Sequence, residues 1–125
     1  MLRLHLLRHA KTEVSSPTGE DFDRELMVKG IIQANMSGLY FELNSIQAQS
    51  ILCSAAKRTI QTLDIIRYAM PSADVIIDYD LYLADRETLL EKVWNQNIIE
   101  QTRVLSNEAY FTFLICVFIF GRFYI

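Results

Sequence analysis

Apolar positions along the chain fall into short continuous runs that alternate with stretches of helical periodicity. Leu2 to Leu7 is interrupted only by Arg3 and His5, and such a run reads as a parallel strand buried on both faces rather than as one arm of a hairpin. Because it has little polar edge protection, an interior place in the sheet is expected for it. The next segment, Ala10 to Glu25, contains Ser15-Ser16-Pro17-Thr18-Gly19 and several acids, which predicts an exposed loop. From about Met27 to Asn44, Val28, Ile31, Ile32, Leu39 and Leu43 recur at helical spacing and form the predicted packing face. Gly30 and Gly38 lower helix propensity there, but a glycine on a buried helix face permits close packing.

A second strand is centred on Ile51-Leu52-Cys53, and Ser54, at its end, is a competent helix cap. Arg58 to Met70 supplies the next helix, with Ile60, Leu63, Ile66 and Ala69 or Met70 on one side and Pro71 as its stop. Val75-Ile76-Ile77 predicts a third strand. Asp85 to Trp94 predicts a helix capped by Asp85, with Leu89, Leu90, Val93 and Trp94 facing the core. The resulting β-α-β-α-β-α order predicts an α/β fold, a three-layer α/β/α sandwich around a mostly parallel sheet. Ligands in such sheets bind beyond the carboxyl ends of the strands, and Arg8-His9 and the Ser54 to Arg58 segment both fall at such ends.

Ala109 to Phe120 is almost wholly apolar, but at 12 residues it is shorter than the roughly 20 a membrane-spanning helix needs. It reads as a fourth buried strand with a sticky continuation, and weak membrane association of 109–125 is the alternative. A length of 125 residues suits one core, so 1–125 is taken as a single domain in which 96–125 is an atypical apolar segment.

Charge narrows the choice of partner. Twelve Lys and Arg against 15 Asp and Glu give a net charge of -3, so no overall positive field recommends a nucleic acid, and any anion site must be local. Cys53 and Cys116 stand apart in apolar runs without metal-ligand spacing and read as reduced core residues; no metal or cofactor is expected. The charges within the first residues do not suit a signal peptide, and a cytoplasmic location is expected.

Taken alone, His9 beside Arg8 fits either a strand-end histidine with a local hydrogen bond or a nucleophile next to a cation that holds phosphoryl oxygens. Arg58 fits either a solvated surface charge or a helix-start anion site. His5, four residues before His9 in the same strand, reads as structural. Together Arg8, His9 and Arg58 supply what phosphoryl transfer requires.

The ordered combination of Leu6-Leu7-Arg8-His9-Ala10, Asp21 to Gly30 with Asp21, Arg24, Leu26 and Gly30, Ser54-Ala55-Ala56-Lys57-Arg58-Thr59-Ile60-Gln61-Thr62 and the weaker Leu81-Tyr82 resembles the histidine phosphatase superfamily, above all its small bacterial phosphohistidine phosphatase branch. The resemblance covers residues 2 to about 95. It implies that His9 is the catalytic nucleophile and accepts the phosphoryl group, that Arg8 and Arg58 bind phosphate with Ser54 as a minor contributor, and that the partner is a phosphoprotein or a small phosphate-containing ligand.

Two departures stand out. The family supplies a second catalytic histidine in a Gly-His stretch after a later apolar strand, where this chain has Gly121-Arg122, and it continues through a further helix and strand. A C-terminally incomplete fold, from truncation or an altered reading frame, is expected on both counts. No general acid is assignable, since Asp85 and Glu87 fit cap or surface roles. Met27 stands where a capping Thr or Ser is expected. Two function classes follow: a metal-independent phosphatase acting on protein phosphohistidine, whose imidazole leaving group needs little proton donation, or a noncatalytic phosphate-binding or protein-interaction remnant of the same fold.

Overall fold

The computed structural model describes residues 2–103 and 111–117, with side chains from residue 4 to residue 95. Four strands and three α-helices alternate among the described residues: β1 (Leu2–Arg8), α1 (Val28–Leu43), β2 (Ser50–Ser54), α2 (Lys57–Ile66), β3 (Asp74–Asp78), α3 (Arg86–Arg103) and β4 (Phe111–Val117). Short 3-10 turns lie at Asp21–Asp23, Arg67–Ala69 and Tyr79–Leu81. All pairings are parallel, in the order β1-β4-β2-β3.

Strand β2 is the centre of this arrangement, with all five residues buried, and its alternation separates two core layers. Ile51 and Cys53 face Phe41 of α1 together with Leu63, Ile66, Ala69 and Met70. Leu52, one residue out of phase, packs with Leu81 of the 3-10 turn before α3 and with Leu89 and Val93 of α3. Helices α1 and α2 therefore cover one face and α3 the other, which is the expected three-layer α/β/α sandwich.

Several expectations are corrected. Strand β1 is not interior but at the edge of the described sheet, because β4, the last strand in sequence, inserts between β1 and β2. Leu4 and Leu6 accordingly remain 42% exposed. On α1 the predicted face Val28, Ile31, Ile32, Leu39 and Leu43 is exposed, and Gly30, Ala34, Gly38 and Phe41 are buried instead. The reason at the helix start is distance: a Cβ on Gly30 would lie 1.9 Å from the Lys11 carbonyl oxygen, so the residue that meets that turn must be small. On α3 Leu89 and Val93 are buried, whereas Leu90 and Trp94, one residue further round the helix, are exposed. Helix α2 caps at Ala56 rather than Ser54 and turns its polar Thr59 and Thr62 inward with Leu63 and Ile66, leaving Ile60 half-buried. Asp85 does cap α3, its Oδ1 accepting from the Thr88 N–H at 2.9 Å. Of the run Ala109 to Phe120, the part 111–117 is β4; Phe118, Phe120 and Gly121-Arg122 lie outside the described residues.

Candidate active site

Strand β1 ends on Arg8 and delivers His9 into a turn that is held from two sides. Gly30 of α1 lies against the Lys11 backbone, the Lys11 carbonyl accepts the Met27 N–H at 3.1 Å, and the Lys11 N–H donates to Gln33 Oε1 at 3.0 Å. These bonds steady a helix start that has no side-chain cap at Met27. From α2, buried Thr62 accepts the Ala10 N–H at 3.1 Å and donates to the Arg58 carbonyl at 2.7 Å.

His9 Nδ1 lies 2.7 Å from the Ala10 carbonyl oxygen. A carbonyl only accepts, so the proton is on Nδ1 and Nε2 carries the lone pair. Burial, the largest influence, lowers the His9 pKa from the ordinary histidine value. The Ala10 bond opposes this, and the charges of Arg58, Arg8 and Arg24 add to the lowering. The ring is thereby held neutral, as nucleophilic attack requires.

Arg58, on the first turn of α2, has a fully buried side chain. Its Nη1 donates to the Asp21 carbonyl at 2.5 Å and its Nη2 to Asp21 Oδ2 at 2.8 Å. The Tyr82 ring lies 5.8 Å from its guanidinium carbon, and the Tyr82 hydroxyl donates to Asp21 Oδ2 at 3.0 Å. Arg24 reaches the other carboxylate oxygen at 2.8 Å and also donates to Thr12 Oγ1 and the Glu13 carbonyl. Arg8, His9, Lys11, Thr12, Arg24 and Gln33 line a cleft of about 470 Å3. Desolvation, the largest single influence on Asp21, pushes its carboxyl up. It is outweighed by hydrogen bonds from Arg24, Tyr82 and Arg58 and by the Arg58 charge, which hold the group below the usual carboxylate value.

The residues singled out in the sequence thus lie as follows. Arg8 and His9 are neighbours in the cleft, and the Arg58 charge acts on the His9 ring. Ser54 is fully buried at the end of β2, where its hydroxyl sits 3.5 Å from the Ala56 N–H and its carbonyl accepts from Thr59. Asp85 is engaged as a cap and Glu87 is exposed on the first turn of α3. His5 lines a different groove, of about 500 Å3, between β1 and Met36, Tyr40 and Phe41 of α1. Cys53 is free and buried, and its Cα is paired in register with that of Cys116.

Sequence reasoning gave no role to Asp21, Arg24, Tyr82 or Thr62. Asp21 and Arg24 enter only through the family-like spacing of the Asp21 to Gly30 segment, and their separation of three is also that of their ion pair. Thr62 stands four residues after Arg58, a turn later on the same buried side of α2, a signal the motif contained. Nothing local points from Tyr82 to Asp21, 61 residues away. Among the described residues no group of three or more His, Cys, Asp or Glu side chains could hold a metal ion, and no helix is long and apolar enough to cross a membrane.

The profile of the Histidine phosphatase superfamily (branch 1) matches residues 4–87. An uncharacterised protein of Mycobacterium leprae is 32% identical over 92 residues, which is 70% of this chain and 54% of that protein; the chain therefore spans about half the length of this curated relative. Among solved structures, a candidate phosphohistidine phosphatase SixA from Agrobacterium tumefaciens superposes with a TM-score of 0.75 at 28% identity, over 92% of this chain and 68% of that one. A protein histidine phosphatase SixA complexed with tungstate gives a TM-score of 0.70 at 15% identity, over 91% and 68% of the two chains, a likeness of fold.

Proposed function

Because the chain belongs to the histidine phosphatase superfamily, we propose that it is a phosphatase in which His9 takes up a phosphoryl group held by Arg8 and Arg58. Nε2 forms a bond to phosphorus as the bond to the leaving group breaks. Water then cleaves the phosphohistidine and releases inorganic phosphate. The observation that carries this is the bond from His9 Nδ1 to the Ala10 carbonyl at 2.7 Å, which fixes the tautomer that keeps the nucleophilic lone pair on Nε2, in a ring kept neutral by burial and by arginine charges. The guanidinium groups supply directed donors for the phosphoryl oxygens as charge develops on them.

Protein phosphohistidine is the substrate class this site favours. Asp85 serves as a cap and no other carboxylic acid is assigned as proton donor, so a leaving group that departs with little protonation suits it best. The Agrobacterium tumefaciens protein whose fold it shares at 28% identity is a candidate phosphohistidine phosphatase.

One observation favours the noncatalytic reading. The chain has two histidines, and the second, His5, lies in the β1 groove rather than in the cleft. Loss of one transition-state donor typically costs about 10²- to 10³-fold in rate. Rapid-quench measurement with a labelled phosphohistidine peptide separates the two readings. Slow turnover with acid-labile, base-stable phosphate trapped on His9, abolished in His9→Ala and retained in His5→Ala, is expected of the phosphatase. Absence of turnover and of trapped phosphate in the parent leaves the binding remnant, and robust turnover by purified His9→Ala rejects the mechanism.

A further inference from the structure

We infer that Asp21 is a positioning residue of the anion site, whose carboxylate and backbone carbonyl together fix the plane of the Arg58 guanidinium and tie Arg24 and Tyr82 to the same point. The inference rests on the proposed reading of Arg58 as a phosphate-binding group. A guanidinium presents five N–H donors in one plane. Asp21 engages one donor on each terminal nitrogen of Arg58, through its carbonyl oxygen at 2.5 Å and Oδ2 at 2.8 Å. Two bonds to one residue set both the tilt and the rotation of that plane, and hence the direction of the remaining donors.

The fixing residue is itself fixed. Asp21 Oδ1 accepts from Arg24 at 2.8 Å, Oδ2 accepts from the Tyr82 hydroxyl at 3.0 Å, and the Tyr82 ring meets the Phe22 ring edge-on at 5.0 Å. The loop carrying Asp21 is held by the Thr12–Leu26 bridge and by the Glu13 N–H to the Glu25 carbonyl. Asp21 also balances the charge of a side chain with no exposed surface, which without a partner carries a large desolvation cost.

The competing view is that Asp21 is a bystander charge beside an anion site, and the two views differ in sign. A bystander carboxylate repels an incoming anion, so its removal strengthens anion binding. A positioning carboxylate, when removed, lets Arg58 turn away, and anion binding weakens. Asp21→Asn is nearly isosteric, but it keeps one acceptor and turns an NH2 group towards the N–H and O–H donors that now converge on the carboxylate.

The experiment is titration calorimetry of the full chain with tungstate at low salt, together with NMR titration of the His9 ring, assigned with a His5→Asn variant. Asp21→Asn is expected to bind tungstate roughly tenfold more weakly, the equivalent of about 1.4 kcal/mol. His9 is expected to titrate at higher pH as Arg58 draws away. Asp21→Glu, which keeps the charge and displaces it by one methylene, is expected to weaken binding as well, and it decides the matter if Asp21→Asn does not fold. Glu25→Gln, which removes a charge from the same loop where it pairs with Lys57, is expected to stay within about twofold. Unchanged or tighter tungstate binding in Asp21→Asn, or His9 titrating at the same or a lower pH, overturns the inference. If the parent binds no tungstate, the anion-site reading fails, and the direction of the His9 titration alone decides whether Asp21 positions Arg58.

Discussion

Replacing Gly30 by alanine sets helix propensity against packing. Propensity alone favours the substitution by about 1 kcal/mol in a helix interior. The structure says otherwise, because the new Cβ would stand 1.9 Å from the Lys11 carbonyl oxygen and 2.9 Å from its carbon, contacts with backbone that must open to at least 3.0 Å. Either α1 or the turn after His9 retreats by roughly 1 Å, an overpacking cost of about 1–3 kcal/mol. The Met27 N–H bond to that same oxygen, worth about 1 kcal/mol, is strained with it. The net expectation is a loss of roughly 1–3 kcal/mol, read as a fall in urea midpoint at unchanged slope and in Tm by roughly 5–10 °C. Gly38→Ala is the internal comparison. Its Cβ meets the outer end of the Tyr68 side chain, 2.9 Å away at the nearest atom, and Tyr68 is half exposed and can swing aside. Gly38→Ala is therefore expected to be neutral or slightly stabilising. Lys11 is two residues from His9, and a 1 Å displacement of a reacting group can cost about 10²-fold, so Gly30→Ala should also depress any turnover more than its stability loss explains. A Gly30→Ala protein at least as stable as the parent would refute the close approach of α1 to the turn.

Three other outcomes are expected. Arg8→Ala combined with Arg58→Met, the latter chosen to keep buried volume, should weaken tungstate binding by roughly 10²-fold or more, since two charge-assisted contacts are lost; unchanged calorimetric binding would count against the proposed anion site. Thr62→Val should cost about 1–3 kcal/mol in chemical denaturation, because the Ala10 N–H loses its acceptor in a buried site; a neutral effect would show that the turn is not held from α2. Stability should decline in acid in two stages. His9 is depressed below 6.5, so stability is lost as pH falls from 6.5 towards its folded value, where the unfolded chain takes up a proton that the folded one resists. Asp21 is depressed below 3.8, and its contribution, complete above 3.8, is lost as pH falls through its folded value. Denaturation midpoints that rise on acidification from pH 6.5 would contradict the first stage, and midpoints that rise on acidification below pH 3.8 the second.

The chain shows which levels of organisation its residues encode locally. Strand and helix identity was legible because period-two and period-3.6 patterns are properties of neighbouring residues: β2, α2 and α3 begin within a residue or two of the expected positions. The Asp85 cap was equally local. Sheet order was not, since β1 and β4 carry similar apolar runs and only the parallel insertion of β4 between β1 and β2 decides which one is central. The α1 face misled for a related reason. Hydrophobic periodicity assumes that large apolar residues mark the buried side, but where a helix backbone comes against another backbone, as Gly30 does at Lys11, size is excluded at that point, and the buried positions of α1 are Gly30, Ala34 and Gly38 with Phe41 the one large residue among them. The candidate site divides in the same way. Arg8, His9 and Arg58 were visible because they stand at strand and helix ends, where their chemistry stands out from the apolar runs beside them. Asp21 was invisible as a partner of Arg58 because the pair closes across 37 residues, and a carboxylate in an acidic loop carries no mark of which distant arginine it will meet.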